Sequence, residues 1–169
     1  MMALLLALVA AAAEPFGPWF VGSPPPPVAT CAGGVCDLAG ELDGVRGAYH
    51  AELCPSGAVG TVRFQAQWLP SPLASKMAVP QARWADDPWR EAQQLASRWE
   101  ERLQARWTFV SSDSAPGAAV TTWSKGGEER SVAALRLPLS VSKPSVDGVE
   151  QTTFHQGLVV LMAVAECGE

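Results

Sequence analysis

The sequence predicts an α+β fold in which an antiparallel β-sheet is covered on one face by one long amphipathic helix, in a ββαβββ-like order. Three observations support this fold. Residues 62–68 alternate apolar and polar side chains with a period of two, which indicates a strand with one buried face. Residues 88–107 repeat apolar side chains at helical spacing. Asp43-Gly44, between two strand-like segments, is a strong signal for a two-residue hairpin turn.

A short apolar run opens the chain, from Ala3 to Ala13, and it ends in small residues of which Ala11 and Ala13 fit the small-x-small pattern of signal peptidase sites. With about 11 residues, the run has about half the length that a bilayer-spanning helix needs. It therefore predicts a signal peptide at residues 1–13. We expect cleavage near Ala13, a mature chain without a transmembrane segment, and a periplasmic or secreted location.

Residues 14–30 are rich in proline and include the run Pro24-Pro25-Pro26-Pro27. Consecutive prolines favour the extended polyproline II conformation and donate no backbone hydrogen bonds to a sheet. We expect a poorly packed Pro-rich leader over residues 14–30, followed by a single α+β domain over residues 31–169.

The first strands are expected before the helix. A hairpin is predicted over residues 35–54, followed by a turn at 55–57 and then by the alternating strand that contains Phe64 and Trp68. A loop is predicted over residues 69–85, because three prolines interrupt this segment.

The long helix is predicted from Pro88 to about Trp107. Asp87 is a favoured N-cap residue, and proline suits the first helical position. The apolar side chains of this segment fall within an arc of about 120°, which the sheet face carrying Phe64 and Trp68 would cover. They are Trp89, Ala92, Leu95, Ala96, Trp99, Leu103 and Trp107.

Beyond the helix, Phe109-Val110 leads into the polar segment SSDSAPG, which is expected to form a loop. Strands are predicted at 120–124 and 133–141, on either side of a turn at Gly126-Gly127. Pro138 has no backbone N–H, so the second of these strands cannot donate a hydrogen bond at this position to a neighbouring strand. The strand is therefore expected at an edge, or with this side facing out.

The last segment, residues 153–166, is apolar at nearly every position from Leu158 to Ala165. Burial on both faces favours a central strand. A buried helix is the competing interpretation, because leucine, methionine and alanine are good helix formers. Val159-Val160 and the preceding Gly157 favour the strand.

Four cysteines, Cys31, Cys36, Cys54 and Cys167, suit an oxidising compartment. Three pairings are open. We favour Cys31–Cys36, which closes a small loop around Gly33-Gly34, together with Cys54–Cys167, which joins an early strand to the last one.

The composition excludes several classes of function. The chain has 17 acidic residues and 12 Lys or Arg, a formal net charge of −5, which argues against nucleic acid as a partner. CxxxxC is not the spacing of zinc fingers and the chain has only two histidines, so no metal is expected. No phosphate-binding, dinucleotide-binding or nucleophile-elbow motif occurs, and no catalytic residue or cofactor is assigned.

The two histidines have weak catalytic interpretations. His50-Ala51-Glu52 matches the H-x-E half of the zinc deaminase signature, but the other half, P-C-x-x-C, is absent, so a polar strand face is preferred. His155 could serve as a base, although a lone histidine entering an apolar strand is more often a hydrogen-bonded structural residue.

Two groups of residues are candidates for a partner surface. Arg98, Arg102 and Arg106 recur every four residues and form a basic ridge beside the apolar arc. The competing interpretation is a solvated flank whose side-chain stems cover apolar surface. Among seven tryptophans, Trp84 and Trp123 lie in loop or edge positions where a ring could stack on a sugar, with core packing as the alternative.

Four short motifs lie along residues 47–142. They are the G-x-V strand Gly60-Thr61-Val62-Arg63-Phe64, the W-x-F in Ala105-Arg106-Trp107-Thr108-Phe109, the turn Gly126-Gly127, and the closing strand Arg136-Leu137-Pro138-Leu139-Ser140-Val141. In these motifs the chain resembles the TonB C-terminal domain, including the related modules of gliding and secretion systems. The resemblance implies a periplasmic interaction module whose exposed strand edge receives a partner strand.

The expected function is that of an extracytoplasmic, non-enzymatic protein-binding or assembly module whose partner is another envelope protein. Two alternatives stay open. One is a secreted carrier that holds a glycan or lipid between the helix and the sheet, which a fully packed core would oppose. The other is an enzyme assembled from dispersed residues, which a histidine–carboxylate pair inside a cleft would favour.

Overall fold

The computed structural model describes residues 14–69 and 81–168, in which the chain forms eight strands and one helix. The predicted signal peptide, residues 1–13, and residues 70–80 of the predicted loop lie outside the described residues. In chain order the elements are β1 (Thr30–Ala32), β2 (Val35–Leu42), β3 (Val45–Leu53), β4 (Val59–Trp68), α1 (Gln81–Gln104), β5 (Thr108–Ala115), β6 (Ala118–Lys125), β7 (Glu128–Ser145) and β8 (Gly148–Ala165).

The described strands form one antiparallel sheet in the order β1-β2-β3-β4-β8-β7-β6-β5. It consists of two four-stranded meanders, one before the helix and one after it, which join where β4 pairs with β8. The predicted α+β class, an antiparallel sheet with one helix, is confirmed. The order along the chain is ββββαββββ rather than ββαβββ. Two of the additional strands, β1 and β5, have no buried face that a hydrophobic pattern could reveal.

Strand β5 replaces the loop expected after Phe109-Val110. All eight of its residues are exposed, so its sequence needs no apolar alternation. It pairs with β6 across a two-residue turn at Pro116-Gly117, where Gly117 has a φ of 77°, a value that favours glycine. Pairing with its neighbour, rather than burial, forms this strand.

The helix α1 begins at Gln81, about two turns before the predicted start at Pro88. Asp87 is therefore not its N-cap, and Pro88 lies in the helix interior, where it removes one backbone hydrogen bond. Packing on β8 offsets this cost, because Pro88 is buried and a Cβ on Gly157 would overlap its carbonyl oxygen. Close approach of helix and strand at a glycine explains why the helix continues through Pro88.

The apolar arc predicted for the helix is confirmed, and it packs mainly on β7 and β8. Phe64 of β4 is fully buried in the same core, while Trp68 is half-buried at its margin. In the described part of the chain, no helix has the length and apolar character needed to cross a membrane. The buried residues of the arc are Ala92, Leu95, Ala96, Trp99 and Leu103, with Trp107 buried just beyond the helix end.

The segment before β1 belongs to the core. Phe16 and Trp19 are buried and exchange two backbone hydrogen bonds, of 2.8 and 3.2 Å. The Phe16 ring centre lies 5.7 Å from that of Trp99, and the Trp19 ring centre lies 6.3 Å from that of Tyr49. The expectation of a poorly packed segment over 14–30 is wrong for these residues, because the aromatic side chains ahead of the prolines are buried.

Two predicted turns are confirmed. Asp43 and Gly44 have φ values of 53° and 78° and join β2 to β3. Gly126 and Gly127 have φ values of 60° and 84° and join β6 to β7. Positive φ at both central positions is the geometry of a type I′ turn, whose twist matches that of the paired strands.

The last segment is the strand β8, as predicted, and it lies between β4 and β7. Strands β7 and β8 have 18 residues each and pair along their whole length. The pairing of β7 with β6 ends at Leu135. Pro138 lies beyond that point, where its missing N–H costs no bond to β6.

Both favoured disulfides are present. Cys31–Cys36 joins β1 to β2 at directly paired positions. Cys54–Cys167 joins the residue after β3 to the chain beyond β8. A Cβ on Gly60 would lie 2.8 Å from the Cys54 sulfur, so a glycine is needed where this disulfide crosses β4.

The two faces of the sheet have different environments. On β8, Val159 and Leu161 are fully buried on the helix side, whereas Val160 and Met162 are half-buried on the other side. The described helix packs on the first side. We call the other side, which contains Val160, the open face.

Candidate functional site

The predicted arginine ridge lies at the surface. Arg98 and Arg102 are on α1, Arg106 is in the turn that follows, and all three are exposed. Arg102 Nη1 donates a hydrogen bond to Asp43 Oδ2 at 2.6 Å, and its guanidinium lies 5.6 Å from the ring centre of Trp99. A surface ion pair of this kind contributes little to stability. The ridge therefore leaves charged groups available to a partner.

Of the two tryptophans proposed for the same surface, only Trp123 has a described side chain. Trp123 is 4% exposed, because β5 extends the sheet past β6 and the helix side of β6 faces the core. The proposal that Trp123 meets a partner is therefore wrong. Trp84 lies in the first two turns of α1, and its side chain is outside the described part of the structure.

A groove of about 590 Å³ lies between the end of α1 and the N-terminal segment. Three arginines and two glutamates contribute to its lining, together with two tryptophans. Arg102 and Arg106 connect this groove with the exposed ridge. The ridge and the groove thus form one continuous, mildly basic surface.

Arg130, the third arginine of the groove lining, is a buried charge with 3% of its surface exposed. Its Nε donates to Glu128 Oε1 at 2.8 Å, and its Nη2 donates to the backbone carbonyl oxygen of Glu14 at 2.6 Å. The guanidinium also lies 4.7 Å from the ring centre of Trp107. Buried charges require such partners. Arg130 therefore holds the N-terminal segment, β7 and the end of the helix together.

The Glu14 carboxylate completes the cluster. Lys125 Nζ donates to Oε1 at 2.7 Å, and Trp107 Nε1 donates to Oε2 at 3.4 Å. The hydrogen bond from Lys125 lowers the pKa of Glu14, and the Trp107 indole acts in the same direction against the opposing effect of burial. The carboxylate is therefore ionised at neutral pH and holds the N-terminal segment against β6 and Trp107.

Sequence reasoning missed this cluster. Arg130 shares the helix side of β7 with Val132 and Ala134, so the period of two could have indicated that it is buried. Glu14 had no such signal, because its partners are more than 90 residues away along the chain.

The strand β5 forms an exposed edge next to this region. It begins at Thr108, directly after Trp107 of the groove. Phe109 and Val110 expose 60% and 48% of their surface. Natural sheets protect their edges with charges, prolines or short strands, and an exposed edge with apolar side chains is a surface at which another strand can pair.

The backbone of β5 offers hydrogen-bonding groups at known positions. A register shift between Phe109 and Ser111 places a bulge at Val110, and regular pairing with β6 runs from there to Ala115. Ala115 and Ala118 flank a two-residue turn, so theirs is a hydrogen-bonded pair, and the pairs alternate from there. The N–H and C=O groups of Ser112 and Ser114 therefore point away from β6.

Side-chain hydrogen bonds connect this edge to the helix. The hydroxyl oxygens of Ser112 and Thr121 lie 3.3 Å apart. Thr121 in turn donates to Glu100 Oε1 of α1 at 3.1 Å. The edge is thus fixed to the rigid part of the fold, which favours precise pairing.

The outermost strand at the opposite edge of the sheet is short, and it pairs only with Val35, Cys36 and Asp37 of β2. Strand β1 has only three residues and is covalently bound to β2 through Cys31–Cys36. Such a short strand offers few groups for pairing. The sheet can therefore be extended at β5 far more readily than at β1.

The two histidines and the possible metal ligands were compared with the arrangements expected of an enzyme or a metal protein, within the described residues. His50 Nδ1 lies 2.8 Å from Asp37 Oδ1, but the pair is on the exposed side of β2 and β3 rather than in a cleft. His155 Nδ1 is buried without a hydrogen-bond partner. Within the described ranges, no group of three or more His, Cys, Asp or Glu side chains could hold a metal ion.

Comparisons with protein-family models, with curated proteins and with solved structures found no match to this chain.

Proposed function

We propose that this domain is a non-enzymatic, extracytoplasmic protein-binding or assembly module that takes up an extended segment of a partner protein along β5. The observation that carries the proposal is the exposure of all eight residues of β5 at one end of the sheet. In strand addition, backbone hydrogen bonds supply the affinity and side-chain contacts supply the specificity.

The chemistry of the edge defines the partner. Ser112 and Ser114 present outward backbone groups for a ladder, and the exposed Phe109 and Val110 favour an apolar side chain at one end of the partner strand. The groove with Arg102 and Arg106 lies beyond that end and favours an acidic residue there. We therefore expect an extended segment of an envelope protein that combines apolar and acidic residues.

The resemblance to the TonB C-terminal domain supports the same mode of binding. Modules of that kind are expected to receive a partner strand at an exposed sheet edge. The two disulfides are compatible with an oxidising, extracytoplasmic location.

The proposal is tested by proline substitution on the edge. Ser112→Pro removes an N–H that faces the partner while leaving the bonds to β6 in place, and it should abolish capture of the partner from an envelope extract. Ser112→Ala loses the same hydroxyl but keeps the N–H, so it should capture as well as the wild type. Near-ultraviolet circular dichroism checks that both variants keep the native packing.

The opposite outcome is equally informative. If the correctly folded Ser112→Pro variant captures the same proteins in the same yield as Ser112→Ala, strand addition at β5 is refuted. Loss of capture on Arg102→Glu together with Arg106→Glu, with Ser112→Pro unaffected, would assign binding to the groove instead.

The carrier alternative has less support. The helix–sheet interface is filled by side chains such as Leu95, Phe64 and Leu161, each 0% exposed, which opposes a lipid or glycan at that place. The aromatic rings beside the groove, Trp99 and Trp107, are 7% and 8% exposed and offer little face to a sugar.

A further inference from the structure

The open face of the sheet is divided into a polar half and an apolar half. On β4 this face carries Arg63, Gln65 and Gln67, which suit contact with water. On β8, β7 and β6 the same face is mainly apolar, and Thr122 and Ser131, whose hydroxyl oxygens lie 2.9 Å apart, are at one end of it. The apolar half includes Val120, Leu135, Leu137, Leu158, Val160 and Met162.

The apolar half carries no charge at its centre. None of the residues that share this face is charged between Ser131 and Leu137 of β7, or between Gln156 and Val164 of β8. Val120 is 39% exposed, and Leu158, Val160 and Met162 are half-buried. A sheet face in contact with water ordinarily carries polar side chains, so an uncharged apolar region with a polar rim has the composition of an interface.

We infer that this apolar half of the open face packs against the same face of a second copy of the chain, forming a two-fold symmetric dimer of stacked sheets. The size of the face agrees with this occupant. With β4 and β5 as its rims the face is five strands wide, about 24 Å, and the paired segments are about 26 Å long. Two such faces together cover about 1,200 Å², which reaches the range of specific interfaces.

The charges at the two rims are complementary under the same symmetry. Arg63 lies on the β4 rim, and Asp113 lies on the β5 rim of the open face. A two-fold axis between the sheets and parallel to the strands places each β4 rim over the partner's β5 rim. Through the strand register, Arg63 lies at the level of Met162, and Asp113 lies at the level of Val160. The positions of the two charges are therefore offset by two residues along the strands. The roughly 30° crossing of packed sheets and the length of an arginine can span this offset.

The dimer is tested by sedimentation equilibrium of the purified protein with both disulfides formed. The wild type should show a reversible monomer–dimer equilibrium, and Val160→Glu should raise the dissociation constant at least tenfold, because it places a charge at the centre of the interface. Ala48→Glu is the matched control: it lies at the same level and on the same face, two strands away on β3, and should leave the equilibrium unchanged.

A charge exchange tests the dimer without relying on correct folding of the Val160→Glu variant. Arg63→Glu should weaken the dimer severalfold through repulsion from Asp113, and adding Asp113→Arg should restore it. A wild type that remains monomeric across the concentration range overturns the inference, as does a dimer that Val160→Glu leaves intact. A dimer that Ser112→Pro abolishes and Val160→Glu does not would instead be pairing of two β5 edges.

Discussion

Gly157 of β8 lies directly against Pro88 of α1, so close that a Cβ on the glycine would overlap the proline carbonyl oxygen and come 2.8 Å from the Cβ of Ala92. Neither neighbour can move easily, because one is helix backbone and the other is a fully buried methyl group. The contact sets the distance between the helix and the sheet.

Gly157→Ala should therefore lower the free energy of unfolding by about 1–3 kcal/mol, the usual effect of forcing extra volume into a packed core. Urea denaturation measures this change. Gly168→Ala is the control, since a Cβ at that position meets nothing within 4 Å, and its stability should stay within about 0.5 kcal/mol of the wild type. Equal stability of the two variants would contradict the close approach.

Replacing the buried guanidinium should be more costly. Arg130→Met keeps much of the side-chain volume but leaves the Glu128 carboxylate and the Glu14 carbonyl without their donor. We expect a loss of about 3 kcal/mol, typical of breaking a buried charged pair. The exposed Arg98→Met should change stability by less than about 0.5 kcal/mol. Thermal or urea unfolding of both variants measures the two losses of stability. Equal losses would contradict the role assigned to Arg130.

The burial of Tyr49 predicts that the free energy of unfolding falls at alkaline pH. Burial, followed by the charges of Asp43 and Glu41, raises the pKa of Tyr49 to about 12 from its ordinary value of 10.0. Because the folded pKa lies above the unfolded one, this residue's contribution is complete below pH 10 and is lost as the pH rises towards 12.

This titration can be observed directly, since Tyr49 is the one tyrosine in the chain. The tyrosinate absorbance of the folded protein should rise well above pH 10, whereas that of the urea-unfolded protein should rise near it. Tyr49→Phe should remove this part of the loss of stability between those pH values. A folded protein whose tyrosine titrates like the unfolded chain would contradict the assigned burial.

The two disulfides should differ in their effect on stability. Cys54–Cys167 spans 113 residues and Cys31–Cys36 only five. In the chain-entropy model these loops correspond to about 5 and about 2 kcal/mol. Replacing both cysteines of the long loop by serine should therefore destabilise the domain by roughly 3 kcal/mol more than the same change in the short loop. Urea denaturation of the two double variants gives the comparison.

Residues with a strong local signal could be predicted from the sequence. The turn at Asp43-Gly44 and the apolar arc around Leu95 and Trp99 were recognisable because backbone conformation and helical period depend on neighbouring residues. The favoured disulfide Cys54–Cys167 was also correct: four cysteines allow three pairings, and the small loop around Gly33-Gly34 favoured Cys31–Cys36, which leaves Cys54 for Cys167.

Features that depend on distant contacts were not recognisable. The strand β5 forms because β6 is beside it, and its serine-rich sequence carries no strand pattern. The start of α1 was misplaced because Pro88 suits a first turn, and its close contact with Gly157 depends on a strand about 70 residues further along the chain. Of the candidate site, the arginine ridge was identified, whereas the edge strand and the Arg130 cluster needed the tertiary structure.

The bridge between Cys54 and Cys167 closes β4, α1 and the four strands that follow into one covalent ring. Two copies with this disulfide formed therefore cannot exchange their β7–β8 hairpins by domain swapping, because the exchanged hairpin would have to pass through a closed loop. In the part of the fold that this ring encloses, two copies can therefore associate only through folded surfaces, and they can separate again without unfolding.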